Sequence, residues 1–190
     1  MSFLYMHENG ISFRKADKQD AGILLSLKNE SHFGTHTVTF ANMTSQEKWL
    51  ESISYETHCP KNLVLIATIT HDMNNSNCGI FKLLNIDWQS RKAEAGWDIF
   101  SHFRGQGFGK KLVFAGVAFA FQVMNLRRLD AQILTTNKAS LKCAENAGFK
   151  LEGKQKQAIY KYGKYIDNLI YGILKENDEC NASIQNVIYS

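Results

Sequence analysis

A short glycine-rich segment between a predicted strand and a long apolar helix constrains this chain more than any other feature. The segment reads Arg-Gly-Gln-Gly-Phe-Gly over residues 104–109. Before it, residues 95–100 mix aromatic, β-branched and small side chains, which is typical of a strand. After it, residues 110–124 contain no proline and repeat apolar side chains at helical spacing. The sequence therefore predicts a helix whose first turn presents unpaired backbone N–H groups to an anion such as pyrophosphate.

The spacing of the glycines excludes two common phosphate loops. Gly105, Gly107 and Gly109 do not fit G-x-G-x-x-G, because the third glycine falls one residue early. A Walker A loop is excluded because Lys111 stands where Ser or Thr would hold magnesium. The pattern that fits is Arg/Gln-x-x-Gly-x-Gly/Ala, beginning at Arg104. This pattern resembles the acetyl-CoA pyrophosphate signature of the GNAT N-acetyltransferase superfamily, and a merely glycine-rich helix start is the alternative.

The downstream motifs extend this resemblance. An N-x-x-S motif begins at Asn137, and a G-F-x-x-E-G motif begins at Gly148, where a glycine usually ends a helix. In this order they resemble the C-terminal half of GNAT enzymes, closest to the branch that includes ribosomal-protein N-terminal acetyltransferases and related sugar-amine acetyltransferases. The tyrosine-rich segment 160–174 is similar to the closing hairpin of that branch. The resemblance covers about residues 10–176.

The order of predicted elements agrees with the α/β (α+β) fold that the resemblance implies, a mixed twisted sheet of about seven strands flanked by about four helices. We expect a single domain over residues 1–190, with a core at about 10–176 and a tail at 177–190. The second helix has a plausible cap at Thr44 or Ser45. The predicted elements are strands at 11–16, 63–69, 78–86, 93–101 and 127–134, helices at 18–28, 44–55, 110–124 and 138–147, and a closing β-hairpin.

Bulk properties restrict the partners. The net charge of +4, from 22 basic and 18 acidic residues, favours a polyanionic ligand such as CoA but is too small to argue for nucleic acid. No tract approaches the roughly 18 apolar residues of a membrane span, and the first residues lack a signal pattern. The four cysteines share no C-x-x-C spacing, which indicates thiols in a reducing cytoplasm. We therefore expect a cytoplasmic protein with no nucleic-acid or membrane partner.

The resemblance implies an acetyl-CoA site built from three parts of the chain. In GNAT folds the backbone of the fourth strand binds the acetyl group and the pantetheine arm, the glycine loop holds the pyrophosphate, and an asparagine after the next strand bonds the arm. That asparagine equally suits a helix cap, and the lysines after the loop equally suit a solvated helix face. The expected cofactor-binding residues are Asp98, Ile99, Phe100, Arg104, Gly105, Gln106, Gly107, Phe108, Gly109, Lys110, Asn137 and Ser140.

Two side chains are candidates for moving protons in the implied reaction. That reaction is direct transfer of acetyl to a primary amine, whose ammonium form must lose a proton before it attacks. Glu94 lies in the strand expected to bind the acetyl group and is the leading candidate for the base, although a surface glutamate is equally common there. Glu152 is the second candidate. Ser140 lies one helical turn after Asn137, so its hydroxyl is a candidate proton donor or thiolate stabiliser.

The chain departs from a common GNAT pattern at the general acid. Many GNAT enzymes carry a tyrosine in the short helix before the Gly-Phe pair, and that position here is Ala144. The proton that returns to CoA must then come from Ser140, from water, or from a hairpin tyrosine such as Tyr160 or Tyr165. Cys143 is interpreted as an apolar contact, because nothing marks its thiolate as stabilised.

The acceptor site is expected between the first two helices and the closing hairpin. Residues 29–40 are polar and aromatic and contain no lysine or arginine. His32 and His36 have the spacing of metal ligands on a helix, but Gly34 and the β-branched residues nearby argue against a helix, so no metal is expected.

Three functions follow. The first is acetylation of a peptide or protein N-terminus, and the second is acetylation of a small amine such as an amino sugar, nucleotide-linked sugar, polyamine or antibiotic. The third is an acyl-CoA-binding sensor without catalysis, which the alanine at position 144 makes conceivable. A homodimer through the aromatic-rich closing segment is a further expectation.

Overall fold

The computed structural model describes residues 5–31, 41–54, 59–70 and 76–175. In this part of the chain there are eight strands and four α-helices. In chain order they are β1 (Tyr5–His7), β2 (Ile11–Lys15), α1 (Ala21–Ser31), α2 (Met43–Ser54), β3 (Leu63–Ile69), β4 (Asn77–Asp87), β5 (Lys92–Ile99), α3 (Phe108–Ala118), β6 (Arg128–Leu134), α4 (Lys138–Asn146), β7 (Lys150–Lys161) and β8 (Lys164–Leu174).

The strands form one mixed sheet in the order β1-β2-β3-β4-β5-β6-β8-β7. Neighbouring strands are antiparallel except for β5 and β6, which are parallel. The predicted mixed sheet with four flanking helices is confirmed, and the strand beyond the expected seven is the three-residue β1. The expected tail at 177–190 lies outside the described residues.

The sheet is covered on both faces, because alternate residues of a strand point to opposite sides. Leu65 and Ala67 of β3 join the main core beside α3, whereas Val64 and Ile66 join a second core beside α1 and α2. A strand buried on both faces is apolar at nearly every position, which explains why β3 is apolar except at Thr68 and why its predicted bounds are confirmed.

Local chemistry moves two predicted boundaries. Helix α2 begins at Met43, because Asn42 accepts the backbone N–H of Ser45 at 2.8 Å and the hydroxyl of Ser45 accepts the backbone N–H of Asn42 at 3.0 Å. The predicted cap at Thr44 or Ser45 was therefore wrong, and the cap is Asn42. Helix α3 is regular only to Ala118 and continues as one π turn at Phe119–Val123.

No helix among the described residues is long and apolar enough to cross a bilayer.

Close packing of α3 on the sheet gives a stability test. A Cβ added at Gly116 would lie 2.4 Å from the ring of Phe81, which is fully buried. Gly116→Ala should therefore lower the free energy of unfolding by about 1–3 kcal/mol, measured by urea denaturation, although alanine is the better helix former. Gly22→Ala in α1 is the matched control, because its Cβ would meet Met43 at an ordinary 3.7 Å. Equal stability of the two variants would contradict this packing.

Candidate active site

The two parallel strands separate after a short contact. Pairing of β5 with β6 joins Lys92 to Arg128, Ala93 to Leu129 and Glu94 to Asp130, and no further pair joins these strands in the described chain. Both strands continue beyond that point, each held on its outer side by an antiparallel neighbour. A gap therefore opens between their carboxyl-terminal halves.

The hydrogen-bond pattern decides which backbone groups of β5 face this gap. The N–H of Phe100 donates to the carbonyl of Cys78 in β4 at 3.1 Å. Because bonding alternates along an antiparallel ladder, Asp98 also directs its backbone groups to β4, whereas Trp97 and Ile99 direct theirs to the gap. The Ile99 carbonyl accordingly accepts Nε of Arg104 at 3.0 Å. Of the three predicted backbone positions only Ile99 faces the gap, and Trp97 was missed.

The glycine loop lies at the open end of the gap, because it directly follows β5. Gly105 and Gly107 have φ angles of 76° and 85°, and a Cβ added to either would meet nothing within 4 Å. Gly107 is the residue before α3, and its carbonyl accepts the N–H of Lys111. The first amides of α3 precede the first helical hydrogen bond, and the space beside Gly105 and Gly107 is open, an arrangement that fits the pyrophosphate of CoA.

The third glycine of the loop serves packing. A Cβ at Gly109 would lie 3.1 Å from Sγ of Cys143 and 3.7 Å from the side chain of Ile99. Because Gly109 has no Cβ, the start of α3 can approach α4 and the end of β5. Burial raises the pKa of the Cys143 thiol, in keeping with an apolar contact.

A glutamate from α1 holds the start of the loop. Glu30 accepts the backbone N–H of Ser101 at 2.6 Å, and the same carboxylate oxygen lies 3.9 Å from Arg104. Arg104 is thus engaged with Glu30 and with the end of β5. The chain separation of 71 residues between Glu30 and Ser101 hid this contact from sequence reasoning.

The remaining side chains of the loop also make local contacts. Gln106 donates to the carbonyl of His102 at 2.6 Å, and the ring of Phe108 packs edge-on against Phe103. Lys110 is exposed, whereas Lys111 lies 5.6 Å from the ring of Phe108. Backbone amides, more than these side chains, are therefore the open groups of the loop.

Two carboxylates stand side by side where the strands separate. Glu94 and Asp130 are paired in the parallel register. Both neighbours of Glu94 along β5 are buried beside α3, and so are both neighbours of Asp130 along β6. The two carboxylates therefore share the opposite face, where α1 and α2 pack. Sequence reasoning identified Glu94 but missed Asp130, since the register that joins them is a tertiary feature.

An arginine joins two carboxylates on this face. Arg128 lies 2.5 Å from Asp130 and also forms an ion pair with Glu152. Hydrogen bonding to Glu152 and then to Asp130 raises the pKa of Arg128, and the same Arg128 contact lowers the pKa of Glu152. An ion-paired carboxylate with a lowered pKa is a poor general base, so Glu152 is disfavoured.

Two lysines lie on the same face, nearer the open end. Lys82 bonds Asp98 at 2.8 Å, and Lys28 of α1 lies 5.7 Å from the ring of Trp49. Burial lowers the pKa of Lys28, and so does Lys82, while Asp98 opposes the change. The side chain of Asp98 is thus held by a lysine.

The start of α4 combines a cap with the predicted serine. Asn137 accepts the backbone N–H of Ser140 at 3.2 Å, so its side chain caps the helix. Ser140 is half-buried in the first turn, and Ala144 is fully buried in the main core. Tyr160 and Tyr165 lie on the closing hairpin with their rings 5.0 Å apart and are mostly exposed.

The predicted histidine pair, His32 and His36, lies outside the described residues, and the residues that are described contain no group of three metal-ligating side chains.

Known proteins resemble this chain in sequence and in fold. Residues 11–150 match the family model for the acetyltransferase (GNAT) domain. The chain is 28% identical over 173 residues to the "putative ribosomal N-acetyltransferase YdaF" of Bacillus subtilis, covering 89% of this chain and 93% of that protein. It is 24% identical over 99 residues to spermidine N(1)-acetyltransferase of Vibrio cholerae, covering 52% and 57%.

Structural likeness agrees with the family match. The crystal structure of spermidine N-acetyltransferase from Vibrio cholerae in complex with CoA and spermine has a TM-score of 0.79 at 19% identity, covering 88% of this chain and 96% of that one. The gap, the open glycine loop and the family model over more than half of the chain lead to one conclusion. The chain belongs to the GNAT acetyltransferase family and is an acetyl-CoA-dependent N-acetyltransferase.

Proposed function

We propose that the acceptor is a primary amine with a single positive charge, most simply the N-terminus of a peptide or protein. The charge balance around the gap carries this proposal. Asp98 pairs with Lys82, and Asp130 and Glu152 share Arg128. Among the described carboxylates at this site, Glu94 is the one with no ion-pair partner. With Glu94, this face has four described carboxylates against three cations, Lys28, Lys82 and Arg128, so one negative charge is left to match one ammonium group.

The segment between α1 and α2 adds no acidic groups. Residues 32–40 contain neither aspartate nor glutamate. A polyamine carries several positive charges, and each needs a carboxylate or a strong dipole near it to offset lost hydration. The similarity to the YdaF protein over nearly the whole chain also favours the peptide acceptor.

In the proposed reaction, four groups of this chain bind the substrates or transfer protons. Acetyl-CoA supplies the acetyl group as an activated thioester. Glu94 takes a proton from the acceptor ammonium, so that its nitrogen gains a lone pair. The N–H groups of Trp97 and Ile99 hold the thioester carbonyl oxygen or the pantetheine arm in the gap. Amides at the start of α3 hold the pyrophosphate. As the carbon–sulfur bond breaks, the Ser140 hydroxyl gives its proton to the sulfur and takes up the second proton, which the acylated nitrogen releases.

A small-molecule amine is the second candidate. The likeness to spermidine acetyltransferases in sequence and fold favours it, as does the juxtaposition of Glu94 and Asp130, which offers two carboxylates if Arg128 turns away.

The cytoplasmic location and the homodimer stay predictions. β7 is an edge strand of the sheet, and Leu151 on it is 56% exposed, so a second copy could extend the sheet there. Sedimentation velocity tests this, and a monomer at high concentration would contradict it.

The assignment of Glu94 gives the first kinetic prediction. Glu94→Gln should lower kcat by about 10²–10⁴-fold, because the proton acceptor is lost, while the KM for acetyl-CoA is unchanged. Glu8→Gln is the matched control, because Glu8 is exposed and precedes β2, away from the gap. Wild-type turnover by the Glu94 variant would remove this residue from the mechanism.

The loop gives the second prediction. Gly107→Asp should weaken CoA binding by roughly 10- to 100-fold, measured by calorimetric titration, because it strains a positive φ and places a charge against the pyrophosphate. Gly163→Asp, in the turn between β7 and β8, is the matched control. It strains a positive φ of 74° in the same way, and an added Cβ there would meet nothing within 4 Å. It should bind CoA normally, and equal loss in both variants would contradict the loop's role.

The acceptor itself is tested by release of free thiol from acetyl-CoA. We expect turnover with peptides bearing a free N-terminus and little with spermidine, amino sugars or aminoglycosides. Turnover confined to one of those small amines would replace the first candidate by the second.

A further inference from the structure

Three side-chain amides form a hydrogen-bonded ladder across the last strands of the sheet. Asn168 of β8 donates to Oε1 of Gln132 in β6 at 2.8 Å and to Oε1 of Gln155 in β7 at 3.0 Å. Asn168 is only 1% exposed, whereas both glutamines are exposed. The amide ladder, defined as these three residues, therefore has a buried centre and two accessible ends.

The amide ladder lies on the same face of the sheet as the proposed base. Gln132 follows Asp130 by two residues in β6, so both side chains point to one side, about 7 Å apart along the strand. Asp130 is in turn paired with Glu94. From β6 the ladder crosses β8 to β7, which leads away from β5 and from the gap assigned to the pantetheine arm. An acceptor whose amine meets Glu94 can therefore cross the ladder without entering the gap.

The described helices do not cover this end of the face. The second core, which α1 and α2 form with the sheet, includes described residues of β3 and β4 but none of β6, β7 or β8. Ile170 of β8 is half-buried and pairs with Gln132 on one side and with Gly153 on the other. Gly153 has no side chain to stand above Ile170. The amide ladder therefore borders a low surface on which an extended chain can lie.

The bonds to Asn168 orient both glutamine amides. Each glutamine turns its oxygen to Asn168, so its NH₂ group lies on the other side of the amide, and neither NH₂ group donates to a described residue. Because both oxygens lie within 3.0 Å of one nitrogen, the two glutamine amides are neighbours. In an extended peptide the carbonyls of alternate residues point the same way, about 7 Å apart. Two neighbouring donors on one face therefore suit two such carbonyls.

We propose that Gln132 and Gln155 bind backbone carbonyls of the peptide acceptor, at about residues 2–4 counted from the amine that receives the acetyl group. The residue numbers follow from the distance, since 7 Å is about two residues of extended chain. A polyamine has no carbonyl and its ammonium groups are donors only, so it forms no bond with the two NH₂ groups. The inference rests on the proposed peptide acceptor and names the residues that recognise its backbone.

The test varies the length of the acceptor. Initial rates of thiol release are measured for alanine peptide amides of one to six residues at saturating acetyl-CoA. We expect the KM to fall roughly two- to tenfold for each carbonyl that reaches the amide ladder, up to about four residues, and then to stay constant. Every peptide carries the same amine, so the ratio of the KM for alanine amide to the KM for the tetrapeptide amide reports contacts behind the amine.

Two kinds of variant remove the donors. Gln132→Glu and Gln155→Glu keep an oxygen for Asn168 but replace the NH₂ group by an acceptor, and Gln132→Met and Gln155→Met remove the donor without adding a charge. Each of the four should lower the KM ratio, with kcat unchanged. Gln19→Glu is the matched control and should keep the ratio, because Gln19 is exposed and lies outside the sheet.

Each contrary outcome has its own pattern. A KM ratio that the variants leave unchanged, or peptide turnover independent of length in the unmodified protein, would overturn the ladder's role while leaving the peptide acceptor intact. No turnover of any peptide would overturn both. A lower ratio in the Glu variants alone, with folded Met variants at the original ratio, would assign the effect to charge and overturn the proposal. An equal loss of kcat at every length would show that the ladder only holds the strands together, and it would overturn the proposal as well.

Discussion

The short parallel contact between β5 and β6 determines where everything else in the site can lie. The contact ends at Glu94 and Asp130, but the sheet stays intact because long antiparallel ladders hold each strand on its other side. Beyond that point the inner edge of β5 keeps backbone groups that no strand satisfies in the described chain. Unsatisfied backbone groups are costly when buried, so this edge favours an extended ligand that can pair with it. The pantetheine arm of CoA has that shape.

Ion pairs fix the borders of the gap more than they stabilise the protein. Lys82–Asp98, Arg128–Asp130 and Arg104–Glu30 are all partly exposed, and such pairs each contribute about 0–1 kcal/mol. These ion pairs serve to position the elements around the gap. They tie α1 to the glycine loop, β4 to β5, and one carboxylate at the separation point to β6. Among the described carboxylates on this face, this leaves Glu94 without an ion-pair partner.

Sequence reasoning found the elements and the loop, because residue type alone decides them. Glycine spacing located the loop between β5 and α3, and a run of apolar residues interrupted only by Thr68 located β3. It missed Trp97 and misplaced the backbone groups of Asp98 and Phe100, since the side-chain alternation of a strand reveals which face is buried but not which edge bonds which neighbour. The pairing of Asp130 with Glu94 could likewise not be predicted, because the register between distant strands is set only when the sheet forms.

The charges around the gap bear on the choice of acceptor. Glu94 offers a negative charge where the strands separate, while the other carboxylates described on this face are held by Lys82 and Arg128. A polyamine brings several positive charges to this place, and each charge beyond the first would lose hydration without a described carboxylate to offset the loss. The amino terminus of a peptide brings one positive charge, which Glu94 balances. The carboxylate proposed to remove the proton would therefore also select the acceptor.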